Sequence, residues 1–442
     1  MKSNQPLSAI TLMVAYSGAL AAAAPIALDS QLRKILEQHP RIQSQEFMIS
    51  SRRNATRKLR FDYPDPELQV ARSHGREDDV TLANPMIDRR SIRGTETQIT
   101  QPIPFPGKGQ VQAGAMEAGT VAERIRLDQL RNRLASEYIT QLFQINILER
   151  QATFSREVYA RLQVFERTTT VRYETGKASL IDLSMVRLRM ASARLAIDQA
   201  ESERLALLRS SGYFTQAVAS NQRRSFSPDE LSSLLAIIDE RVSNSAGQIQ
   251  TRSLDVALAR AEERASDSAD TLARMQYLPD FSVFAGYNKG TRRSVTYQQS
   301  MDERVYRAGV TIRIPLWSAL TNHWEVADKA DQLKSNHLRV EDAKQKAQSE
   351  LDASLQRMEG IKKNLKLHQS ELIPGVHMAQ NAAVISYASG KGDFASVIQS
   401  LEQHFEHQIN ALRMEIDLNL ELLKAAENLN VIFADSAEAD HE

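Results

Sequence analysis

The chain of 442 residues contains no cysteine, which excludes disulfides, thiolate metal sites, cysteine nucleophiles and an N-terminal acylated cysteine. Aromatic residues make up only 6% of it, and this composition favours long solvated helices over a compact core. Basic and acidic side chains balance at 55 each, so nothing indicates a nucleic-acid partner. Beyond the N-terminus, no stretch approaches the run of about 18 apolar residues that a membrane-spanning helix requires.

The N-terminus has the layout of a secretory signal peptide. Lys2 precedes an apolar run over about residues 9–20, and small residues then offer A-x-A cleavage after Ala21 or Ala23. The apolar run is too short to span a bilayer. We therefore assign residues 1–23 to a cleaved signal peptide, and we expect the mature chain to be exported.

The same turn motif occurs twice, as YETGKASL at 173–180 and as YASGKGDF at 387–394. Neither copy has the Gly and Ser/Thr spacing of a phosphate-binding P-loop. A larger duplication surrounds the motif, because Tyr63–Pro66 is echoed by Tyr277–Asp280 and the ITQPIP of 99–104 by the VTIRIP of 310–315. The predicted segments are an N-terminal helical segment 24–62, a first repeat 63–211, a linker and helix 212–276, a second repeat 277–432 and a flexible tail 433–442.

Each repeat begins with two predicted strands, at about 66–74 and 95–104, and at about 280–289 and 305–315. The alternation is clearest in the last strand, where apolar side chains occupy one face from Tyr306 to Ile314. One apolar and one polar face is typical of a membrane barrel, but also of any half-exposed antiparallel sheet.

Long helices follow the strands. The first covers 109–172, where apolar residues recur at steps of three and four, and about 60 residues would make a helix of roughly 90 Å. In the second repeat, Pro374-Gly375 should kink or break the helix. The motifs thus become hairpin tips at 173–182 and 387–396, followed by return helices, and a further helix is expected over about 229–275.

Four strands of membrane length cannot close a barrel, for which about eight are needed. An open edge in lipid leaves backbone groups unpaired at several kcal/mol each. If these strands cross a membrane, several chains must therefore pool them.

The duplication, the Pro-Asp that begins each strand pair, the QPIPFPGK of 101–108 and both hairpin tips resemble the TolC-type outer-membrane factors. The IPFPGK stretch and the overall layout most resemble the CzcC/CusC heavy-metal efflux subclass. The resemblance covers essentially the whole mature chain, from about Leu28 to Phe433.

The resemblance implies a mainly α fold with membrane β: a homotrimer whose four strands per chain form a 12-stranded barrel in outer-membrane lipid, continued by a helical coiled-coil periplasmic tunnel. It implies the outer-membrane channel of a tripartite efflux pump of a Gram-negative bacterium, with a periplasmic adaptor and an inner-membrane RND pump as partners and heavy-metal cations as substrates. The tips would bind the adaptor and gate the channel through Tyr173, Glu174, Gly176, Lys177, Asp182, Tyr387, Gly390, Lys391 and Asp393. The barrel would join the helices at Pro104, Pro106, Gly107 and Pro315.

The chain departs from the family pattern in two respects. Many relatives carry a lipid-modified N-terminal cysteine, which is missing here, so anchoring would depend on the barrel alone. Acidic residues that narrow the tunnel entrance in TolC are replaced by Ser396 and Gln399. We hypothesise that Asp182 or Asp393 supplies the negative charge instead.

No catalytic motif is present, and we expect neither an enzyme nor a cofactor. His404 and His407 have helical spacing for a metal, but a third ligand is missing because Glu402 cannot share their face. We interpret them as solvated helix residues and retain them only as a weak metal candidate. Two alternative functions remain open: a duct for drug efflux or type I protein secretion, and a soluble periplasmic coiled-coil adaptor.

Overall fold

The computed structural model describes residues 32–61, 64–81, 84–215, 227–294, 298–315 and 317–433. The predicted signal peptide lies outside the described residues, as do part of the linker at 216–226 and the tail from 434 onward. The chain divides into two compact units. We call Met48–Arg124 with Ala259–Glu341 the sheet unit, and we call the remainder, which includes Ile125–Leu258 and the chain from Asp342 onward, the hairpin unit.

The sheet unit contains one antiparallel sheet with strand order β1-β2-β3-β4. Its strands are β1 Glu67–Thr81, β2 Asn84–Ile103, β3 Asp280–Ser294 and β4 Ser300–Arg313. They lie where the sequence predicted strands, but most of them extend further, toward the turns of the β1–β2 and β3–β4 hairpins. Near these turns the alternation of apolar and polar residues weakens, because charged side chains occupy both faces of the strands. The predicted strands were therefore too short.

The strand register places the apolar residues of neighbouring strands opposite one another. Val283 pairs with Val310, Phe281 with Ile312, and Tyr287 with Tyr306. The tyrosine rings of the last pair are 5.0 Å apart. Several members of this face are exposed in the single chain: Leu68, Val70, Ile99, Val283, Tyr306, Val310 and Ile312. Among the described residues, the sheet therefore has one face on which many apolar side chains are exposed.

The helices, in chain order, are α1 Pro40–Phe61, α2 Lys108–Glu174, α3 Leu180–Ser210, α4 Gly212–Thr215, α5 Pro228–Ser245, α6 Ile249–Arg252, α7 Leu254–Met275, α8 Ser318–Leu367, α9 Ile373–Ala388 and α10 Phe394–Asn428. A short helical stretch over 32–37 precedes them. Among the described residues, no helix is both apolar enough and long enough to cross a membrane.

The predicted single helix over 229–275 is wrong. It is interrupted by a 3₁₀ turn at Ala246–Gln248 and again at Ser253, whose backbone is extended. The carbonyl of Ser253 accepts the first hydrogen bond of α7, from the amide of Ala257. Serine favours this N-cap position over a helix interior, which explains the break.

The helix of the second repeat is interrupted next to Pro374, as predicted, and the interruption takes the form of a π-turn. A π-turn at His368–Leu372 joins α8 to α9, and Pro374 lies in the first turn of α9. Proline lacks the amide proton that a continuous α-helix needs, and a π-turn accommodates this loss within the helix.

The hairpin unit holds the hydrophobic core. All of the largest fully buried side chains belong to it, and they come from each of its long segments: Leu36, His39, Ile42, Leu134, Ile139, Ile147, Leu162, Ile238, Leu351, Leu423, Leu429 and Ile432. Most of these residues recur at helical spacings, so narrow apolar seams provide the packing between the helices.

Candidate functional site

The first hairpin tip is a helix C-cap built on a left-handed glycine. Gly176 has φ +70°, a conformation that residues with a Cβ adopt only with strain. The amide of Lys177 donates to the carbonyl of Arg172 at 2.7 Å, and the amide of Gly176 donates to that of Tyr173 at 3.0 Å. These bonds satisfy the carbonyls at the end of α2, in the pattern of a Schellman motif.

The second tip repeats this geometry bond for bond. Gly390 has φ +74°, the amide of Lys391 donates to the carbonyl of Ser386 at 3.0 Å, and the amide of Gly390 donates to that of Tyr387 at 3.0 Å. The repeated Gly-Lys motif is therefore a repeated chain reversal, and its lysines lie on the exposed outer side of each turn.

The two return helices begin differently. Ser179 and Asp182 form a capping box at α3: the amide of Asp182 donates to Ser179 Oγ at 3.1 Å, and the amide of Ser179 donates to Asp182 Oδ2 at 2.9 Å. At α10, Asp393 occupies the N-cap position, but its carboxylate accepts a hydrogen bond from the Ser396 hydroxyl instead. This bond lowers the pKa of Asp393; its carboxylate, like that of any exposed aspartate, is ionised at neutral pH.

Most of the predicted tip residues are accessible, but the two motif tyrosines differ. Tyr173 is 43% exposed, whereas Tyr387 is only 7% exposed and packs edge-on against Phe394, with ring centroids 5.3 Å apart. Among the residues predicted to act at the tips, the side chains of Tyr173, Glu174, Lys177, Lys391 and Asp393 are exposed, while that of Asp182 is half-buried.

The end of α2 is attached to the second tip through Arg172, which sequence reasoning missed. Its guanidinium lies 4.3 Å from the centroid of the Tyr387 ring, and its Nη1 donates to the Tyr387 carbonyl at 2.8 Å. Tyr387 in turn belongs to a cluster with Val186 of α3 and Val397 of α10. Both hairpins therefore share one core near their tips. A basic residue in the last turn of α2 was the only signal available in the sequence.

A second site joins the strands to α2 inside the sheet unit. Gly107 has φ +100° and turns the chain between Pro106 and the start of the helix. Lys108 Nζ donates to Asp280 Oδ1 at 2.8 Å, and the same oxygen accepts the amide of Phe105 at 3.0 Å. The sequence placed Gly107 at a junction, but it did not connect that junction to the Pro-Asp of the second repeat. The other predicted junction residues, Pro104 and Pro315, follow the ends of β2 and β4.

The histidines are not the solvated side chains that the sequence suggested. His404 is buried, and its ring lies 5.8 Å from that of Phe154 on α2. Within the described part of the chain, no three His, Asp or Glu side chains come together in a group that would hold a metal ion. The spacing of His404 and His407 is therefore not completed by a third ligand among these residues.

The fold is similar to those of solved outer-membrane channels. CusC superposes with a TM-score of 0.68 at 14% sequence identity, and the superposition covers 90% of this chain and 92% of the CusC chain. Its crystal structures were determined to describe folding and transmembrane channel formation. The outer-membrane channel MtrE of Neisseria gonorrhoeae, in its open state, superposes with a TM-score of 0.65 at 13% identity, over 91% of this chain and 88% of its own. The fold is thus that of the TolC-type outer-membrane channels, which confirms the resemblance, and these relatives are channels and not enzymes.

A relative within this class is also found by sequence. The cobalt-zinc-cadmium resistance protein CzcC of Cupriavidus metallidurans is 24% identical over 336 residues, which cover 73% of this chain and 74% of CzcC. No protein-family model matches the sequence.

Proposed function

We propose that this protein is the outer-membrane channel of a tripartite efflux pump, assembled as a homotrimer and exporting heavy-metal cations passively. The observation that carries the proposal is the open four-stranded sheet with one exposed apolar face. The hairpin tips and the likeness to CzcC support its gating and its substrate.

The sheet favours assembly with other copies. Among the described residues, β1 and β4 each have one neighbouring strand, so each has an edge of unpaired backbone groups. Lipid contains no water to satisfy such groups, and each unpaired one costs several kcal/mol. Three copies would pool twelve strands, pairing β4 of one with β1 of the next, and would enclose a water-filled lumen. The exposed apolar face would then contact lipid.

The tips suit a gate that an adaptor opens. Lys177 and Lys391 are exposed at equivalent points of the two turns, where a partner would reach them. Arg172 and Tyr387 would hold the hairpins together in the closed state. Energy would come from the inner-membrane pump, because the chain itself carries no catalytic motif.

The substrate class follows from the likeness to CzcC, whose name specifies cobalt, zinc and cadmium. A duct passes ions without chelating them, so this substrate requires no ligand cluster. A negative charge near the tips would favour cations, and Asp393 is the charge we infer for this role. Asparagine is equally favoured at the N-cap position and its Oδ1 can still accept the bond from the Ser396 hydroxyl, so Asp393→Asn removes the charge with little change at the start of the helix. We expect reduced cation selectivity in Asp393→Asn; unchanged selectivity would exclude this role.

The membrane assignment is tested by two substitutions on adjacent residues of β4. Val310→Arg places a charge on the exposed apolar face, where Val310 is 65% exposed, and should cost about 2–4 kcal/mol if that face meets the bilayer centre. Thr311→Arg is the matched control on the opposite face, where a charge would contact lumen water. Both variants and the wild type are purified in detergent, and their oligomeric mass is measured by light scattering. Their channel activity is then recorded in planar bilayers.

We expect a trimeric wild type and Thr311→Arg protein that both form channels, and a Val310→Arg protein that inserts poorly. A monomer that needs no detergent, forms no channels and tolerates both substitutions equally would overturn the proposal and favour a soluble adaptor.

The substrate is tested separately, by challenging cells that carry the pump and the adaptor with zinc, cobalt and cadmium. Resistance that does not depend on this chain would exclude the metal assignment alone.

A further inference from the structure

Four histidines come together on the second hairpin. His368 lies in the π-turn, His377 on α9, and His404 and His407 on α10. The ring centroids of His377 and His404 are 5.5 Å apart, and so are those of His368 and His407. We call these four residues the histidine cluster. It links the two helices of the hairpin, well away in sequence from the Gly-Lys turn.

The π-turn explains why two histidines nine positions apart both reach α10. An uninterrupted α-helix rotates about 100° per residue, so His368 and His377 would point in nearly opposite directions. A π-turn holds one extra residue and changes this phase by about 100°. The interruption that Pro374 imposes therefore directs both rings toward the same neighbouring helix.

His404 lies among buried residues of α10 that are mostly apolar. Phe394, Val397, Leu401 and Ile409 are buried on the same helix, at steps of three, four and eight residues. His404 is 8% exposed, and its Nδ1 has no hydrogen-bond partner in the described structure; the same holds for His407 Nδ1. An imidazole in such a position is inexpensive to bury only while it is neutral.

Within the described parts of the chain, no carboxylate acts on His404 to stabilise its protonated form. The charged and titratable groups around it are His377 from α9, Arg161 from α2 and His407 from its own helix. Glu402 and Glu406 each lie two positions from His404 along α10; Glu402 forms an ion pair with Arg189 of α3, and Glu406 is exposed. Burial first, and then His377, Arg161 and His407, lower the pKa of His404 below its ordinary value of 6.5.

We propose that the histidine cluster is a proton-operated switch, in which acidification charges the buried His404 imidazole beside its neighbouring rings and thereby separates α9 from α10. Because these helices meet at the second tip, the separation would loosen that tip. The effect on the channel depends on the proposed function, whereas the separation of the helices does not.

The direction of the pH effect follows from the pKa of His404. Because its pKa is lowered in the folded protein, the unfolded chain binds more protons below pH 6.5. Above that pH, His404 is neutral and its burial does not oppose the packing of α9 on α10. As the pH falls, its protonation increasingly destabilises that packing.

The absence of native cysteine allows a direct measurement. Met378→Cys on α9 and Gln403→Cys on α10 replace exposed residues and accept one spin label each. Distances between the labels are measured by electron paramagnetic resonance on the full-length protein in detergent, at about pH 8 and about pH 5, the range in which histidine changes charge. We expect longer and broader distances at the lower pH in the labelled wild type.

Two cluster variants and one control test the assignment. His404→Met places an apolar side chain at this buried position of α10 and should abolish the pH response, while His323→Gln, outside the cluster, should preserve it. If His404→Met does not fold, His377→Gln removes the exposed partner and should shift the transition to lower pH. The proposal would be overturned by a label distance that does not change with pH in the wild type, or by a pH response in both cluster variants equal to that of the wild type. A change in distance that occurs at about pH 8 only when Zn²⁺ is added would also overturn it. If the protein forms channels but the distance between the labels does not change with pH, the switch is refuted and the proposed function is not. If the distance changes with pH but the protein forms no channels, only the proposed function is refuted.

Discussion

Replacing Arg172 by alanine should release the end of α2 from the second tip. The guanidinium makes a cation–π contact with the Tyr387 ring and a hydrogen bond to the Tyr387 carbonyl. The first is worth about 0.5–2 kcal/mol and the second about 1.5–3 kcal/mol where it is fully desolvated. Because Arg172 is only half-buried, we expect a combined loss of about 2 kcal/mol from the closed arrangement. That loss corresponds to about a 30-fold increase in the population of separated tips.

Single-channel recording in planar bilayers measures this population through the open probability. Arg172→Lys retains the charge without the planar stacking surface, so it should lie between the wild type and Arg172→Ala. A double-mutant cycle with Tyr387→Leu isolates the contribution of the ring from that of the backbone carbonyl. Arg194→Ala, an exposed site on α3, is the matched control and should behave as the wild type. If Arg172→Ala folds normally and its open probability equals that of the control, the contact does not hold the channel closed.

Three further predictions concern the glycine of the first tip, the lysines of the two turns and the Asp280 junction. Gly176→Ala should destabilise the protein by about 1–2 kcal/mol in thermal unfolding, because no neighbouring atom opposes the methyl group and only backbone strain does. Gly360→Ala, inside α8, is the control and should stabilise the protein by up to about 1 kcal/mol. Equal shifts in the two variants would contradict the capping argument. Charge removal in a Lys177→Ala, Lys391→Ala double variant should weaken adaptor binding in pull-down assays, and wild-type binding together with wild-type conductance would count against a docking role. Asp280→Ala should cost about 1–3 kcal/mol through loss of two hydrogen bonds, and Asp280→Asn should cost less because its oxygen still accepts the Phe105 amide; the reverse order would refute this account.

Local patterns in the sequence were sufficient for the two strand pairs, the two hairpin tips and their order along the chain. The alternation from Tyr306 to Ile314 is the signature of a strand with two different faces, and the paired register of β3 and β4 follows from it. The repeated Gly-Lys motif predicted two chain reversals, because a glycine after a long helix is the usual C-cap. Both features depend on residues within a few positions of one another, so they can be read without knowing the rest of the fold.

Long-range pairings could not be read in this way. Arg172 meets Tyr387, and Lys108 meets Asp280, across more than a hundred residues of chain. Many arginines and carboxylates in the sequence have similar local surroundings, and only the packing of the helices and strands selects these partners.

The burial of His404 was decided at the same level. Its spacing from His407 is helical in either case, but its environment depends on which helix covers it. The sequence by itself determined the strands, the hairpin tips and the duplication, since these follow from the period of the backbone and from glycine's conformational freedom. The tertiary structure alone decided that a π-turn next to Pro374 would align two histidines with α10, because the phase of a helix relative to its neighbour is set by packing and not by any single residue.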